Sequence, residues 1–435
     1  MSGKTTMEKL VSLAKRRGFI YPGSEFYGGL AGFWDYGPMG VELKRNIENL
    51  WWKMFVQSVP NIYGLDAAII MNQKVWQASG HAEGFSDLMV ECKECKKRYR
   101  ADHIKSDRCL ECGGDLGEAS LFNMMFETRV GAKQDEDSKT YLRPETAQGI
   151  FVNFKNVLDS YSPKMPFGIA QIGKAFRNEI SPRDFVFRSR EFTQMEIEYF
   201  VEEKNWEKEF DNWLLFMREW NEALGLKNVK EIDTPRDNLA HYSKKTIDFE
   251  YEFPFGRSEL YGLAYRTDYD LKKHMEESGE DLRYRPHEGE PFLPHVIEPT
   301  FGLDRTILAL LNEHYNENGE RGVWLALPYK LAPVKAAVFP LLRNKEELVS
   351  KAREIYSSLR KEIPGVAWDD NGNVGKRYRR QDEVGTPFCV TIDFDTLEGE
   401  ENSKDTVTVR NRDTMKQERV AIDDLVDYLK EKIGI

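Results

Sequence analysis

Four cysteines in two tight pairs are the clearest chemical signal in the chain. Cys92-x2-Cys95 and Cys109-x2-Cys112 stand 13 residues apart. Each pair can grip a metal from one knuckle, and two knuckles complete a tetrahedral thiolate site. Gly113-Gly114 suits the turn after the second pair. Four thiolates leave no open position for a substrate, so the metal expected is a structural Zn2+. The competing reading is two pairs of reduced cysteines. Cys389, between Phe388 and Val390, reads as a core residue.

The second signal lies between Phe167 and Phe200, where the pattern has period two and predicts strand, loop, strand. On the second strand Arg190, Phe192, Gln194, Glu196 and Glu198 share one face, and Glu191, Thr193, Met195, Ile197 and Tyr199 share the other. The face with Met195 and Ile197 suits a core. The opposite face gathers a ring, an amide and two carboxylates on a rigid sheet, although an ordinary amphipathic strand also looks polar on one side. Gln171, Gly173, Ala175 and Arg177 share a face of the first strand, and the loop holds Arg183, Arg188 and Arg190. Guanidinium forks match phosphate oxygens, so such a loop suits a polyphosphate. A solvated loop would carry the same charges. Further on, Glu298-Pro-Thr-Phe-Gly-Leu-Asp-Arg305 leads directly into an apolar helix. A strand that turns at glycine into a helix sets backbone N–H groups and an arginine around a phosphate-sized site.

The elements that must position these groups follow from pattern. Residues 1–17 read as a short amphipathic helix without the apolar core or cleavage site of a secretory signal, so cytoplasmic residence is expected. The stretch Gly28 to Gly40 is glycine-rich, and a helix over 41–56 carries Trp51, Trp52 and Phe55 before Pro60. Residues 88–118 hold the knuckles, 202–225 form a helix with Trp206, Phe210, Trp213, Leu214 and Met217 on its apolar face, and 246–253 and 258–265 are strands. Two prolines, Pro328 and Pro333, mark a linker. Beyond it strands at 335–339, 366–369, 388–394 and 406–411 alternate with helices at 345–363 and 422–433 and a basic turn opening a helix at 375–381.

At 435 residues the chain can form two or three domains. No run of 18 apolar residues exists, so no membrane partner is expected. The net charge of −11 argues against non-specific coating of nucleic acid but leaves room for local basic patches.

The order Phe-Arg177-Asn178-Glu179, a loop, then Arg188-x-Arg190-Glu191-Phe192 resembles motif 2 of class II aminoacyl-tRNA synthetases. Residues 298–305 resemble motif 3, and the glycine stretch and helix of 32–60 resemble motif 1, the dimer-forming element. Gly32-Phe-Trp-Asp-Tyr-Gly-Pro38, Tyr99-Arg-Ala-Asp-His103, Leu142-Arg-Pro-Glu-Thr-Ala-Gln-Gly149 and Asn373-Val-Gly-Lys-Arg-Tyr378 are similar to the homodimeric family of glycyl-tRNA synthetases. The resemblance covers nearly the whole chain and departs at Thr300, where serine is common in the family.

That resemblance implies an α+β catalytic domain built on an antiparallel sheet over residues 1–328, with motifs at about 32–60, 168–200 and 296–312. It also implies a zinc-knuckle insertion at 88–118 and a C-terminal α/β anticodon-binding domain at 332–435. The implied catalytic residues are Arg177, on the α-phosphate and the amino-acid carboxylate, and Arg305, on the γ-phosphate. Phe192 would stack under adenine and Glu179 would contact the base. The remaining ATP contacts implied are Asn178, Phe187, Arg188, Ser189, Arg190, Glu191, Glu259, Leu260, Gly302, Leu303 and Asp304, with Mg2+ ligands around Glu259 and Glu191. Glycine would meet Arg100, Glu145, Phe192, Thr193, Gln194, Met195, Glu196, Glu298, Pro299, Thr300, Phe301 and Gly302. Carboxylates for the ammonium and a narrow pocket are the tools available against a substrate with no side chain. The implied partners are glycine, ATP, tRNA(Gly) and a second copy of the chain. Lys376, Arg377, Arg379 and Arg380 would touch the tRNA backbone, unless they form a solvated turn. Two rivals remain: prolyl, threonyl or histidyl specificity on the same architecture, and a non-catalytic nucleic-acid-binding paralogue.

Overall fold

The computed structural model describes residues 5–104, 106–133, 135–400 and 403–435. Met1 to Lys4, the start of the expected N-terminal helix, lie outside them. That helix, α1, runs Met7–Arg16; the Thr6 side chain caps it by accepting from the Lys9 N–H, and Leu10, Leu13 and Ala14 are buried.

The aromatic helix, α2, starts earlier than its apolar pattern suggested, at Pro38–Trp51. Proline suits a first helical position because its missing N–H would have had no partner there. Gly40 lets this first turn lie against the Phe19 carbonyl: a Cβ on it would lie 1.9 Å from that oxygen. After Trp51 the backbone widens into a π-helical turn over Trp52–Gln57, which keeps Phe55 in the core.

A seven-stranded sheet organises the first three quarters of the chain. Its strands are β1 Ile62–Gly64, β2 Phe167–Phe176, β3 Glu191–Val201, β4 Val229–Asp233, β5 Lys245–Phe253, β6 Gly256–Thr267 and β7 His295–Gly302. The spatial order is β4-β5-β6-β7-β3-β2-β1. All neighbours pair antiparallel except the edge strand β1, which runs parallel to β2.

Helices α3, Trp206–Ala223, and α4, Leu303–Glu313, join α2 against one face of the sheet. Met195, Ile197 and Tyr199 of β3 and Phe301 of β7 belong to that core with Trp51, Phe55, Trp213 and Trp220. Phe301 sits 5.1 Å from Phe55 and 6.1 Å from Trp51, ring centre to ring centre. Truncating such a ring costs about 3–5 kcal/mol, so these side chains serve the fold. On the other face Phe167, Ile169 and Phe200 pack on Phe151, Phe154 and Leu271. Between that apolar end and the sheet's open end, the same face carries Phe192, Gln194, Glu196 and Glu198. The polar stretch is the gap in the second core.

The knuckles sit on a small sheet of their own, with Ser86–Glu91 flanked by Arg98–Arg100 and Ser120–Asn123. After the prolines a second, mixed sheet follows: β8 Ala336–Pro340, β9 Val366–Trp368, β10 Phe388–Ile392, β11 Thr406–Asn411 and β12 Gln417–Ala421. β8 lies parallel to β9 and β10, while β10, β11 and β12 are antiparallel. β12 was not anticipated. Cys389 is buried with Ala337 and Phe339, as its apolar neighbours implied.

The basic turn becomes the helix Val374–Val384. Arg377 is buried and donates to the carbonyls of Pro340, Asp370 and Gly372, and Arg380 pairs with Asp369 at 2.7 Å. Only Lys376 and Arg379 of the expected cluster project freely to solvent, because the other two hold the β8 and β9 ends together. Among the described residues no helix is long and apolar enough to cross a membrane.

Candidate active site

A cavity of about 490 Å3 opens over the polar stretch of the sheet. Its floor is Phe192, Gln194 and Glu196 of β3, Glu298, Thr300 and Gly302 of β7, and the β6 residues Glu259 to Gly262 with Ala264. The floor is set by register. Gln194 faces Gly302 and Glu196 faces Thr300, so residues two apart on each strand present the same side to the cavity.

One end is rich in arginine. Arg177 lies between the rings of Phe85 and Phe192, 5.4 and 5.3 Å from their centres, and its Nε donates to the Pro144 carbonyl at 3.0 Å. Arg305, in the first turn of α4, packs 4.4 Å over Phe187 and pairs with Glu259 at 3.2 Å. Arg188 stands 3.8 Å from Glu179. Burial pulls the Arg188 guanidinium below its ordinary range, and the like charges of Arg100, Arg183 and Arg305 add to that effect. The four arginines that line the cavity, Arg100, Arg177, Arg188 and Arg305, suit a multiply charged anion.

The other end is acidic. Glu196 accepts from the hydroxyls of Thr146 and Thr300, the latter at 2.9 Å. Glu298 accepts from Arg266 at 2.7 Å, and Arg266 also forks onto Asp270 at 2.8 and 2.9 Å. Glu145 accepts from Gln148 at 3.0 Å and lies 3.3 Å from His81. Burial would raise the Glu145 carboxyl, but His81 and Arg266 outweigh it and hold the group well below the usual carboxylate range. Burial raises Glu196, and the charge of Glu145 pushes the same way. A small cation is the ligand this end can stabilise.

Not every expected site residue reaches the cavity. Met195 and Phe301 point into the aromatic core, Leu303 is buried beside them, and Pro299 faces away from the floor. The pleat decides this for Met195, Pro299 and Phe301, each of which alternates with a floor residue, while Leu303 already belongs to α4. Asn178 donates its backbone N–H to the Met124 carbonyl, and Arg190 holds the carbonyls of Glu179 and Ala31. Glu191 pairs with Lys174 at 2.9 Å outside the cavity, which leaves Glu259 as the expected metal-binding carboxylate still at its rim. Thr193 and Asp304 line the wall but are tied to each other: Asp304 accepts from the Thr193 N–H and from the Tyr36 hydroxyl, both at 2.6 Å. That carboxylate binds the segments resembling motifs 1, 2 and 3 together.

Other cavity residues carried no motif. The segment between β4 and β5 contributes Thr234, Asn238, Leu239, Ala240 and Tyr242, and β5 contributes Asp248. The Tyr242 ring lies 3.8 Å from the Arg266 guanidinium and covers it. Arg266 and Asp270 had an available signal, opposite charges four residues apart where β6 runs into the helix Tyr269–Ser278, though nothing in it pointed to a ligand.

The four knuckle sulfurs converge. Cys92 and Cys112 are 3.5 Å apart, as are Cys95 and Cys109, and all four lie within 4.8 Å of one another. A tetrahedral ion with Zn–S of about 2.3 Å needs sulfurs roughly 3.8 Å apart, so the donor set fits zinc. The Cys112 N–H and the Tyr99 hydroxyl pull Cys109 down to about 6, and the Cys95 N–H lowers Cys92. Burial and the neighbouring sulfurs raise Cys95 and Cys112, so a metal would have to displace protons from that second pair. From this module Arg100 reaches the cavity wall, fixed by Asp87 at 2.8 Å and Asp102 at 3.0 Å.

Residues 126–314 match the family described as tRNA synthetase class II core domain (G, H, P, S and T). Residues 335–432 match the family described as anticodon binding domain. The chain is 49% identical to the glycine–tRNA ligase of Caldanaerobacter subterraneus subsp. tengcongensis over the full length of both. It is 50% identical to that of Geobacillus kaustophilus over 99% of each chain, and 49% identical to that of Thermobifida fusca over 98% of each.

Proposed function

The chain belongs to the glycine–tRNA ligase family, and from that premise we propose how its cavity joins glycine to the 3′ end of tRNA(Gly). The observation that carries the reading is the division of one cavity into an arginine end and a carboxylate end, held about a common sheet floor. Glycine presents an ammonium to Glu145, Glu196 and Glu298 and leaves its carboxylate toward Arg177. The carboxylate is ionised at neutral pH, so the first step needs no general base.

In that step a glycine carboxylate oxygen attacks the α-phosphorus of ATP in line. The P–O bond to the β-phosphate breaks, and glycyl-adenylate and pyrophosphate result. Catalysis is then alignment and charge stabilisation. Arg177, stiffened between two rings, offers its free edge to the α-phosphate, and Arg188 and Arg305 hold the departing tail. Phe192 supplies a flat surface for adenine, with Glu179 beside it. Mg2+, when bound, neutralises phosphate charge, and Glu259 would hold it. In the second step the terminal 3′-hydroxyl of the tRNA attacks the adenylate carbonyl and AMP leaves.

Zn2+ at Cys92, Cys95, Cys109 and Cys112 would be structural, fixing the strand that carries Arg100. The mixed sheet after Pro333 would bind the anticodon, two copies of the chain would pair through 32–60, and the protein would act in the cytoplasm. Amino-acid-dependent ATP–pyrophosphate exchange tests the specificity: glycine should support exchange, and proline, threonine and histidine should not. Exchange with one of those three, or with none of the four, would overturn the proposal, and charging of tRNA(Gly) completes the test.

A further inference from the structure

Glu198 sits on the same face of β3 as Glu196, one step deeper than the cavity floor. It is fully buried and does not line the cavity. Among the described residues it is the one carboxyl with both oxygens buried and without a hydrogen-bond partner. The register explains its neighbour. Glu196 pairs with Thr300 and Tyr199 with Ile297, which sets Glu198 directly across from Glu298. Like charges facing each other across a sheet are destabilising. Here one oxygen from each of Glu196, Glu198 and Glu298 lies within 4.8 Å of the others.

The cation nearby is already committed. Arg266 forks onto Asp270 and gives its remaining edge to Glu298. Glu196 has two threonine hydroxyls, and Glu145 has Gln148 and His81. Glu198 has no donor at all, and an ionised carboxylate buried without one is strongly disfavoured against its neutral form. Burial, with Glu298 across from it, holds the Glu198 carboxyl well above the usual carboxylate range, and burial raises Glu298 as well. Glu298 has the Arg266 guanidinium on it and Glu198 has no donor, so the proton of the pair belongs on Glu198. A neutral acid has one O–H to give, and the acceptor facing it is the Glu298 carboxylate.

We infer that Glu198 is a positioning residue for the amino-acid ammonium: as a neutral acid it donates its proton to Glu298 and fixes that carboxylate from behind. The cavity-side oxygen of Glu298 then stays anionic and aimed at the ligand. Without the second carboxyl, Glu298 would turn wholly toward Arg266. The inference rests on the reading that this end of the cavity takes an α-ammonium.

The test compares Glu198→Met, which fills the space without a donor, with Glu198→Gln, which is neutral and keeps an N–H. Glycine-dependent exchange is measured on the full chain, after thermal melts show that each variant is folded. Glu198→Met should raise the KM for glycine about tenfold, the worth of one charge-assisted hydrogen bond, and leave the KM for ATP in place. Glu198→Gln should bring the KM for glycine back to within about threefold of the parent by the same donor argument. A parent-like KM in Glu198→Met would mean that the side chain only fills space, and would overturn the inference. A rise in Glu198→Gln as large as that in Glu198→Met would mean that the charge itself is needed, and would overturn it as well. Glu198→Leu replaces the methionine variant if the latter does not fold. A parent without glycine-dependent exchange would instead remove the underlying reading of the cavity.

Discussion

Arg177 shows how much positioning a single charge receives. Two rings clamp its plane, and one edge is spent on the Pro144 carbonyl, so the free edge has one direction left. Loss of a preorganised donor to a developing charge costs about 10²–10³ in rate, so Arg177→Ala should lower the kcat of glycine-dependent exchange by that factor while the melting curve stays close to the parent's. Retained exchange would remove Arg177 from the chemistry. Thr300 permits a finer test, because its hydroxyl is one of two donors to Glu196. Thr300→Val should raise the KM for glycine about tenfold, since a buried acceptor then loses a partner worth roughly 1–3 kcal/mol. Thr300→Ser keeps the donor and should stay near the parent value; a parent-like KM in Thr300→Val would show that the hydroxyl contributes nothing. At this scale period two was a good guide. It separated Gln194 and Glu196 from Met195 and Ile197, because a strand buried on both sides must still alternate. It could not separate Glu198 from Glu196, which differ in depth along the face and not in the face itself.

Elements were legible where a single pattern filled them, as in α3, β11 and the strand pair at 167–201. The segment between β4 and β5 was not, because its contribution to the cavity comes from a loop without periodicity or motif. The knuckle module stood between these cases. Its cysteines were plain in the spacing, but its coupling to the cavity depends on tertiary contacts. Ser181, in the loop between β2 and β3, donates to the Arg98 carbonyl at 2.9 Å, and Arg100 on the same short strand enters the cavity wall. The metal would thus brace both an arginine and the loop between β2 and β3. Metal analysis should find one zinc per chain, and removing it should raise the KM for glycine about tenfold through release of Arg100, whose charged contacts are of that size. Unchanged kinetics in protein verified as metal-free would sink the coupling and leave zinc a purely local role.

On the scale of the whole molecule, the second sheet is fastened to the first body through polar contacts, to main chain and to side chain. Asn46 of α2 donates to the carbonyls of Leu331 and Ala332, Arg412 donates to Leu327 and Gly385, and Arg17 of α1 pairs with Glu383. Lys335 lies at the centre of this seam, nearly fully buried, with its ammonium donating to the carbonyls of Lys330 and Ala332 at 2.6 and 2.7 Å. Burial lowers it to about 8, and Glu42 offsets only part of that. An unfolded lysine holds its proton up to about 10.4, so between about 8 and 10.4 the unfolded chain binds more protons than the folded one. Stability from this residue therefore rises with pH across that window, and its burial penalty is fully present below about 8. In Lys335→Met the residue no longer titrates. The stability of the parent relative to the variant should climb by about 1–3 kcal/mol from pH 8 to 10. Groups titrating elsewhere are common to both chains and cancel in the difference. Parallel stability curves for parent and variant over that range would mean that Lys335 stays charged at the seam, and that its two carbonyl contacts outweigh its burial.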